Sequence, residues 1–135
     1  MRQVIGSAIA GYVAIGILVV CTDQLFAFLV PGFKSMPMSP TYYFEVSLLT
    51  DAVYSIIGGY LCAWSAGAMA GKATLWLMGI GEILGVVSVI VFWSTVPHWF
   101  GFGLLIVYPP AVWLGSRLRN RAIPSRDREG AVAKT

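Results

Sequence analysis

Charge is what this sequence has least of. Only 11% of its 135 residues are Asp, Glu, Lys or Arg, against about a quarter in ordinary soluble domains. No Lys or Arg occurs between Arg2 and Lys34, between Lys34 and Lys72, or between Lys72 and Arg117. Helices drawn from such stretches cannot all present a wetted face, which argues against a water-soluble globular fold. Cysteine is scarce as well. Cys21 and Cys62 lie in separate apolar segments at different expected depths, with no paired-cysteine spacing. A disulfide frame, a redox pair and a cysteine metal site are therefore not expected, and both thiols read as small hydrophobes.

The single histidine, His98, has no cysteine or second histidine near it in sequence, so it reads as an interfacial turn residue and no metal is expected. A nucleophile motif, a histidine-rich metal spacing and a phosphate-binding loop are all missing, which argues against an enzyme, and no cofactor is expected. The net charge of +3 does not indicate a nucleic-acid partner. Arg117, Arg119, Arg121, Arg126, Arg128 and Lys134 supply six of the nine basic residues and crowd one tail behind an apolar segment. That placement is a membrane topology signal and a contact for anionic head groups. Strands of alternating polarity are missing too, which excludes a transmembrane β-barrel.

What the chain does have is apolar side chains, 58% of the total. Residues 4–30 carry one charge, Asp23, and are long enough to cross a bilayer core of about 30 Å. The run exceeds a signal-peptide core and no small-residue cleavage site follows, so it reads as a retained first helix. Pro31-Gly32 ends it, and the Pro- and Gly-containing linker up to Thr41 carries Lys34. A second span is expected over 42–70, opening on Tyr42, Tyr43 and Phe44, where an interfacial aromatic belt belongs. Gly71-Lys72 reads as a tight turn into a third span over 73–96. Trp76 and Trp93 bracket that span at about 26 Å for 1.5 Å per residue. Pro97-His98 reads as the next turn, and a fourth span is expected over 99–116. Pro109 and Pro110 should break or kink it, because they free the carbonyls near Leu105 and Ile106.

The expected fold is thus all-α, a polytopic membrane protein built as an antiparallel four-transmembrane-helix bundle with a kinked last helix. Residues 1–116 form the membrane domain, and 117–135 form a basic, poorly ordered tail. Arg2, Lys72 and the six tail residues place eight cations on one side against Lys34 on the other. The positive-inside rule then puts both termini in the cytoplasm, at the cell inner membrane.

Small residues recur every four positions along the second span: Ser55, Gly59, Ala63, Gly67 and Gly71. Gly81 and Gly85 add a pair in the third. Such ladders let helix backbones approach closely. They serve either to close the bundle on itself or to dock a second copy or another membrane protein.

Three acids fall inside the spans. Asp23 and Asp51 should reach similar depths, about 10 Å below the outer interface at 1.5 Å per residue, and Glu82 should lie nearer the middle. Carboxyls there are costly unless paired, hydrated or protonated. No Lys or Arg lies within any span to pair with them, leaving Tyr12, Thr22, Gln24, Thr50, Tyr54, Ser55 and each other. Such a group could relay protons, hold a cation or pin helices together. Glu45 lies close to the outer surface.

Two segments carry a family resemblance. Ile57-Gly58-Gly59-Tyr60-Leu61-Cys62-Ala63-Trp64 and Pro109-Pro110-Ala111-Val112-Trp113-Leu114-Gly115-Ser116-Arg117-Leu118 resemble motifs of small uncharacterised four-helix bacterial inner-membrane proteins. In that group an arginine commonly follows the second-span motif, where this chain has Trp64 or Ser65. The resemblance implies four spans and no activity.

The leading functional expectation is an accessory or assembly subunit of a larger membrane complex. Its partners would be membrane lipids, including bound lipid, and another membrane protein or further copies of itself. The alternative is a small proton- or cation-coupled transporter working as a homo-oligomer through Asp23, Asp51 and Glu82. A hydrated cavity reaching those acids favours transport, whereas dry carboxyls hydrogen-bonded between helices favour a structural role.

Overall fold

A computed structural model describes residues 1–30 and 40–122, with only the backbone described for 40–43. The expected linker 32–41, Lys34 within it, the side chains of Tyr42 and Tyr43, and the tail beyond 122 therefore lie outside the described residues or side chains. The described part is helical: α1 (Arg2–Leu29), α2 (Pro40–Ala66), a 3-10 turn (Gly67–Met69), α3 (Ala70–Val91) and α4 (His98–Ala122). In lipid the backbone must satisfy its own hydrogen bonds, and these apolar runs do so as helices. The protein is a multi-pass, all-α membrane protein.

The expected four-transmembrane-helix bundle is corrected. Among the described residues, three helices are long and apolar enough to cross a membrane: Arg2–Leu29, Phe44–Val91 and His98–Ala122. The second, 48 residues long, comprises most of α2, the 3-10 turn and α3. The sequence reading divided it at Gly71-Lys72, but both residues lie inside α3. The interruption falls earlier, at the 3-10 turn Gly67–Met69. The same count overturns the resemblance to four-helix bacterial inner-membrane proteins.

The stretch bends at Gly67, whose φ of 57° lies in the left-handed region. A residue with a Cβ is strained there. The path doubles back, because Gly11 of α1 lies against Gly58 and Cys62 of α2 and also against Leu77 of α3. Gly67→Ala is therefore expected to lower stability by about 1 kcal/mol, read as thermal unfolding in detergent. Gly71→Ala, which faces open space within a helix, should be neutral or slightly stabilising.

Three chain segments meet at one end of the molecule. Met1 and Val4 share a cavity with Met69 and Lys72, and Thr74 of α3 is hydrogen-bonded to Ser116 of α4 at 2.9 Å. Arg2, Lys72, Arg117, Arg119 and Arg121 thus belong to one basic end. This half is also the tightly packed one, with a core of Val4, Ala8, Cys62, Ala66, Ala73, Leu77 and Val112. Most of these side chains are small, so the backbones come close.

The glycine pair of α2 explains the close approach. Successive helical residues point about 100° apart, so Gly58 and Gly59 face different neighbours. A Cβ on Gly58 would meet Ile15 and the Gly11 carbonyl of α1. One on Gly59 would run into the backbone of Val112 in α4. Gly115 of α4 reciprocates, against the Ile56 carbonyl and the Tyr60 nitrogen of α2. Ser55 and Ala63, on the same stripe, are also buried.

Helix α4 runs through its two prolines and past its expected end. Pro109 and Pro110 lie within a helix assigned without interruption from His98 to Ala122. The expected break is therefore not a break: the turns on either side continue while α4 is held against α2. The helix also continues past Ser116, with the Arg117 guanidinium carbon 3.9 Å from the centre of the Trp113 ring. Helix α3, by contrast, ends at Val91, five residues before the expected limit, and a turn over residues 92–96 follows.

Candidate functional site

The half of the molecule opposite the basic end is hollow. Of the cavities within it, Asp51 lines two. The central one, about 310 Å³, draws on all four helices: Tyr12, Ile15 and Val19 of α1, Asp51 and Ser55 of α2, Glu82 and Ser88 of α3, and Leu104, Leu105 and Tyr108 of α4. The other, about 240 Å³, adjoins the turn after α3 and is lined by Thr22, Asp23, Ser47, Thr50, Asp51, Tyr54, Val96 and Phe100 among others.

The three candidate acids thus come together in pairs through one residue. Asp23 and Asp51 both line the outer cavity. Asp51 and Glu82 share the central cavity. Helix geometry accounts for this. Helices α1 and α2 approach antiparallel, so positions near the end of one meet positions near the start of the other. Thr22 and Tyr54 mark that register with a direct hydroxyl–hydroxyl hydrogen bond.

The neighbouring hydroxyls mostly serve their own helices. Thr50 donates to the Val46 and Ser47 carbonyls at 3.0 and 2.9 Å. Ser55 donates to the Asp51 carbonyl at 2.7 Å, and Ser88 to that of Leu84 at 2.9 Å. Gln24 is exposed and lines neither cavity. One carboxyl oxygen of Glu82, Oε1, is buried with no hydrogen-bond partner. Buried polar atoms are rarely left so, and such an atom asks for a water, an ion or a ligand.

Tyr108 was not among the residues singled out in the sequence. Its hydroxyl donates to the Leu77 carbonyl at 2.9 Å. Gly81 makes room for it, since a Cβ there would strike the Tyr108 ring. Gly85 likewise receives Leu105. The glycines of α3 therefore seat side chains of α4 that wall the central cavity. The available signal was the position of Tyr108, just before Pro109, in a helix bound to face α3.

The small stripe of α2 divides. Ser55, Gly59 and Ala63 pack inside the molecule. Gly67 forms the bend, and nothing lies within 4 Å of a Cβ built on Gly67 or Gly71. His98 begins α4 with its ring stacked on Trp93, centroids 4.0 Å apart. Phe44 meets Trp99 and Phe100 nearby, at 6.5 and 5.0 Å between centroids. Both cysteines are free, Cys21 exposed and Cys62 buried. Among the described residues no three His, Cys, Asp or Glu side chains gather as a metal-binding group.

No family model matches this chain, and neither the curated proteins nor the solved structures contain a significant match to it.

Proposed function

We infer that this membrane protein conducts protons or small cations along Asp23, Asp51 and Glu82, as a small coupled transporter working in a homo-oligomer. The observation that supports the reading most strongly is that Asp51 lines both cavities. Three carboxyls are thereby strung from the outer cavity into the central one. Acids inside membrane spans mark proton or ion paths when they face a cavity within the protein. The basic end faces the cytoplasm of a cell inner membrane in this reading, since Lys and Arg are retained there. The acidic cavities then open from the outer side.

The test is proton flux into proteoliposomes, driven by a potassium diffusion potential and followed with an internal pH dye. Wild-type protein is expected to raise the flux above that of empty vesicles, and Asp51→Asn to remove most of the increase. Flux from correctly folded Asp51→Asn equal to wild type would sink the reading.

The accessory-subunit reading rests on a different observation. Oε1 of Glu82 lacks a partner, and a basic side chain from another membrane protein could supply one. That reading no longer has the small stripe of α2 as a docking face, because Gly59 is occupied by α4. A stoichiometric partner recovered in mild detergent would favour it, and a homogeneous homo-oligomer would count against it.

A further inference from the structure

We propose that the central cavity is a binding chamber for a small organic cation, an ammonium group carried on an apolar body. The proposal rests on the cation-path reading above and names the kind of ligand that this chamber takes.

Size comes first. A cavity of about 310 Å³ stands at the lower end of the range for small-molecule sites. It exceeds what a bare ion or a single water needs, and it is bounded by all four helices.

The lining then selects the chemistry. Asp51 and Glu82 supply negative charge, and Glu82 Oε1 is buried without a hydrogen-bond partner. The cations among the described residues sit elsewhere: Arg2, Lys72, Arg117, Arg119 and Arg121 are all at the basic end, and none lines this cavity. An uncompensated carboxyl among apolar walls favours a positively charged occupant. Most of the remaining wall is apolar, with Ile15, Val19, Leu104 and Leu105 contributing. A divalent metal ion takes six or more oxygen ligands, which such walls do not offer. An ammonium group with hydrocarbon around it uses both parts of the wall.

Two tyrosines complete the match. Tyr108 lines the cavity from α4, its hydroxyl donating to the Leu77 carbonyl at 2.9 Å. Tyr12 lines the same cavity from α1. Aromatic faces attract ammonium groups, more strongly when water is excluded. The outer cavity differs in character, being lined with Thr22, Ser47, Thr50 and Tyr54 around Asp23. It suits water and protons, and so serves as the approach rather than the chamber.

The experiment uses the full-length protein in nanodiscs of phosphatidylcholine, titrated calorimetrically with benzyltrimethylammonium. Its uncharged carbon isostere, neopentylbenzene, is run in parallel, and empty nanodiscs are subtracted from both. Saturable binding of the cation alone is expected. Asp51→Asn and Glu82→Gln should each weaken it at least tenfold, and Asp23→Asn less than threefold. Thermal unfolding of each variant, matched to wild type, confirms that the chamber is intact. Equal saturable binding of the isostere would overturn the proposal in favour of an apolar lipid- or detergent-filled cavity. So would binding that is indifferent to Glu82→Gln. Asp51-dependent proton flux without cation binding would sink the organic-cation chamber and leave the cation path standing. Cation binding without Asp51-dependent flux would support the chamber and sink the transport reading.

Discussion

Replacing Gly59 and Gly115 together by alanine is expected to leave little folded protein. Each new methyl group would enter the backbone of the opposing helix: that of Val112 for Gly59, and those of Ile56 and Tyr60 for Gly115. A side chain can rotate away from an added carbon, but a helical backbone can only move with its whole helix. Overpacking of this kind costs up to about 3 kcal/mol at one site, occasionally more. Here both sites separate the same pair of helices. Moving α4 away from α2 would also open the packing around Val112 and strain the buried Thr74–Ser116 hydrogen bond. The measurement is the yield of monodisperse protein in detergent and its unfolding temperature. Gly58→Ala should be milder, because it meets the flexible end of Ile15 before any backbone. A double variant as stable as wild type would contradict the close α2–α4 contact.

The second large effect concerns Asp51. Asp51→Asn keeps the size and most of the hydrogen-bonding capacity of the side chain but removes its charge. Proton flux above the empty-vesicle level is expected to fall at least tenfold. Asp23→Asn and Glu82→Gln each alter one cavity, whereas Asp51→Asn alters both. The ordering is therefore diagnostic: the loss should be largest at position 51. Stability should change little, since Ser55 hydrogen-bonds the Asp51 backbone carbonyl and not its carboxyl. An unaltered unfolding temperature with lost flux separates a role in conduction from one in folding. Loss of both together would instead mark Asp51 as a structural residue.

Much of the architecture was readable because it depends on local rules. The absence of Lys and Arg from long apolar runs identifies membrane helices without any tertiary information. The spacing of Ser55, Gly59 and Ala63 by four identified a narrow face on α2. Its partner could not be read, since a smooth stripe fits a second copy as well as α4. Only the reciprocal position of Gly115, a tertiary fact, decides between them. Counting by four also failed once α2 ended at Ala66. Beyond that point Gly67 is needed for its backbone conformation, and Gly71 faces open space.

The division of helices was harder. Gly71-Lys72 has the composition of a turn, but the bend falls four residues earlier, at Gly67, within a helical path that continues on both sides. Nothing in a glycine-rich run says which glycine takes positive φ. Pro109 and Pro110 do not interrupt α4. Their local cost is real, yet the helix persists across them.

The acids followed a similar pattern. Their depths could be estimated from residue counts, which placed Asp23 beside Asp51. That Asp51 also lines the chamber with Glu82 depends on the rotation of α2 about its own axis and on Tyr108 seated at Gly81. Neither is encoded in spacing along one helix.

The central claim is that water reaches Asp51 through the outer cavity. Cysteine accessibility in intact cells tests it directly, with Cys21 and Cys62 replaced by alanine and single cysteines placed at Ser47, Ser55 and Ser7. A charged, membrane-impermeant thiol reagent should modify Ser47→Cys and, more slowly, Ser55→Cys from outside, and leave Ser7→Cys in the tight half untouched. Labelling of the first two only after the cells are opened would reverse the orientation. Protection of both in intact and opened cells alike would mean a dry interior, and would contradict the cation path.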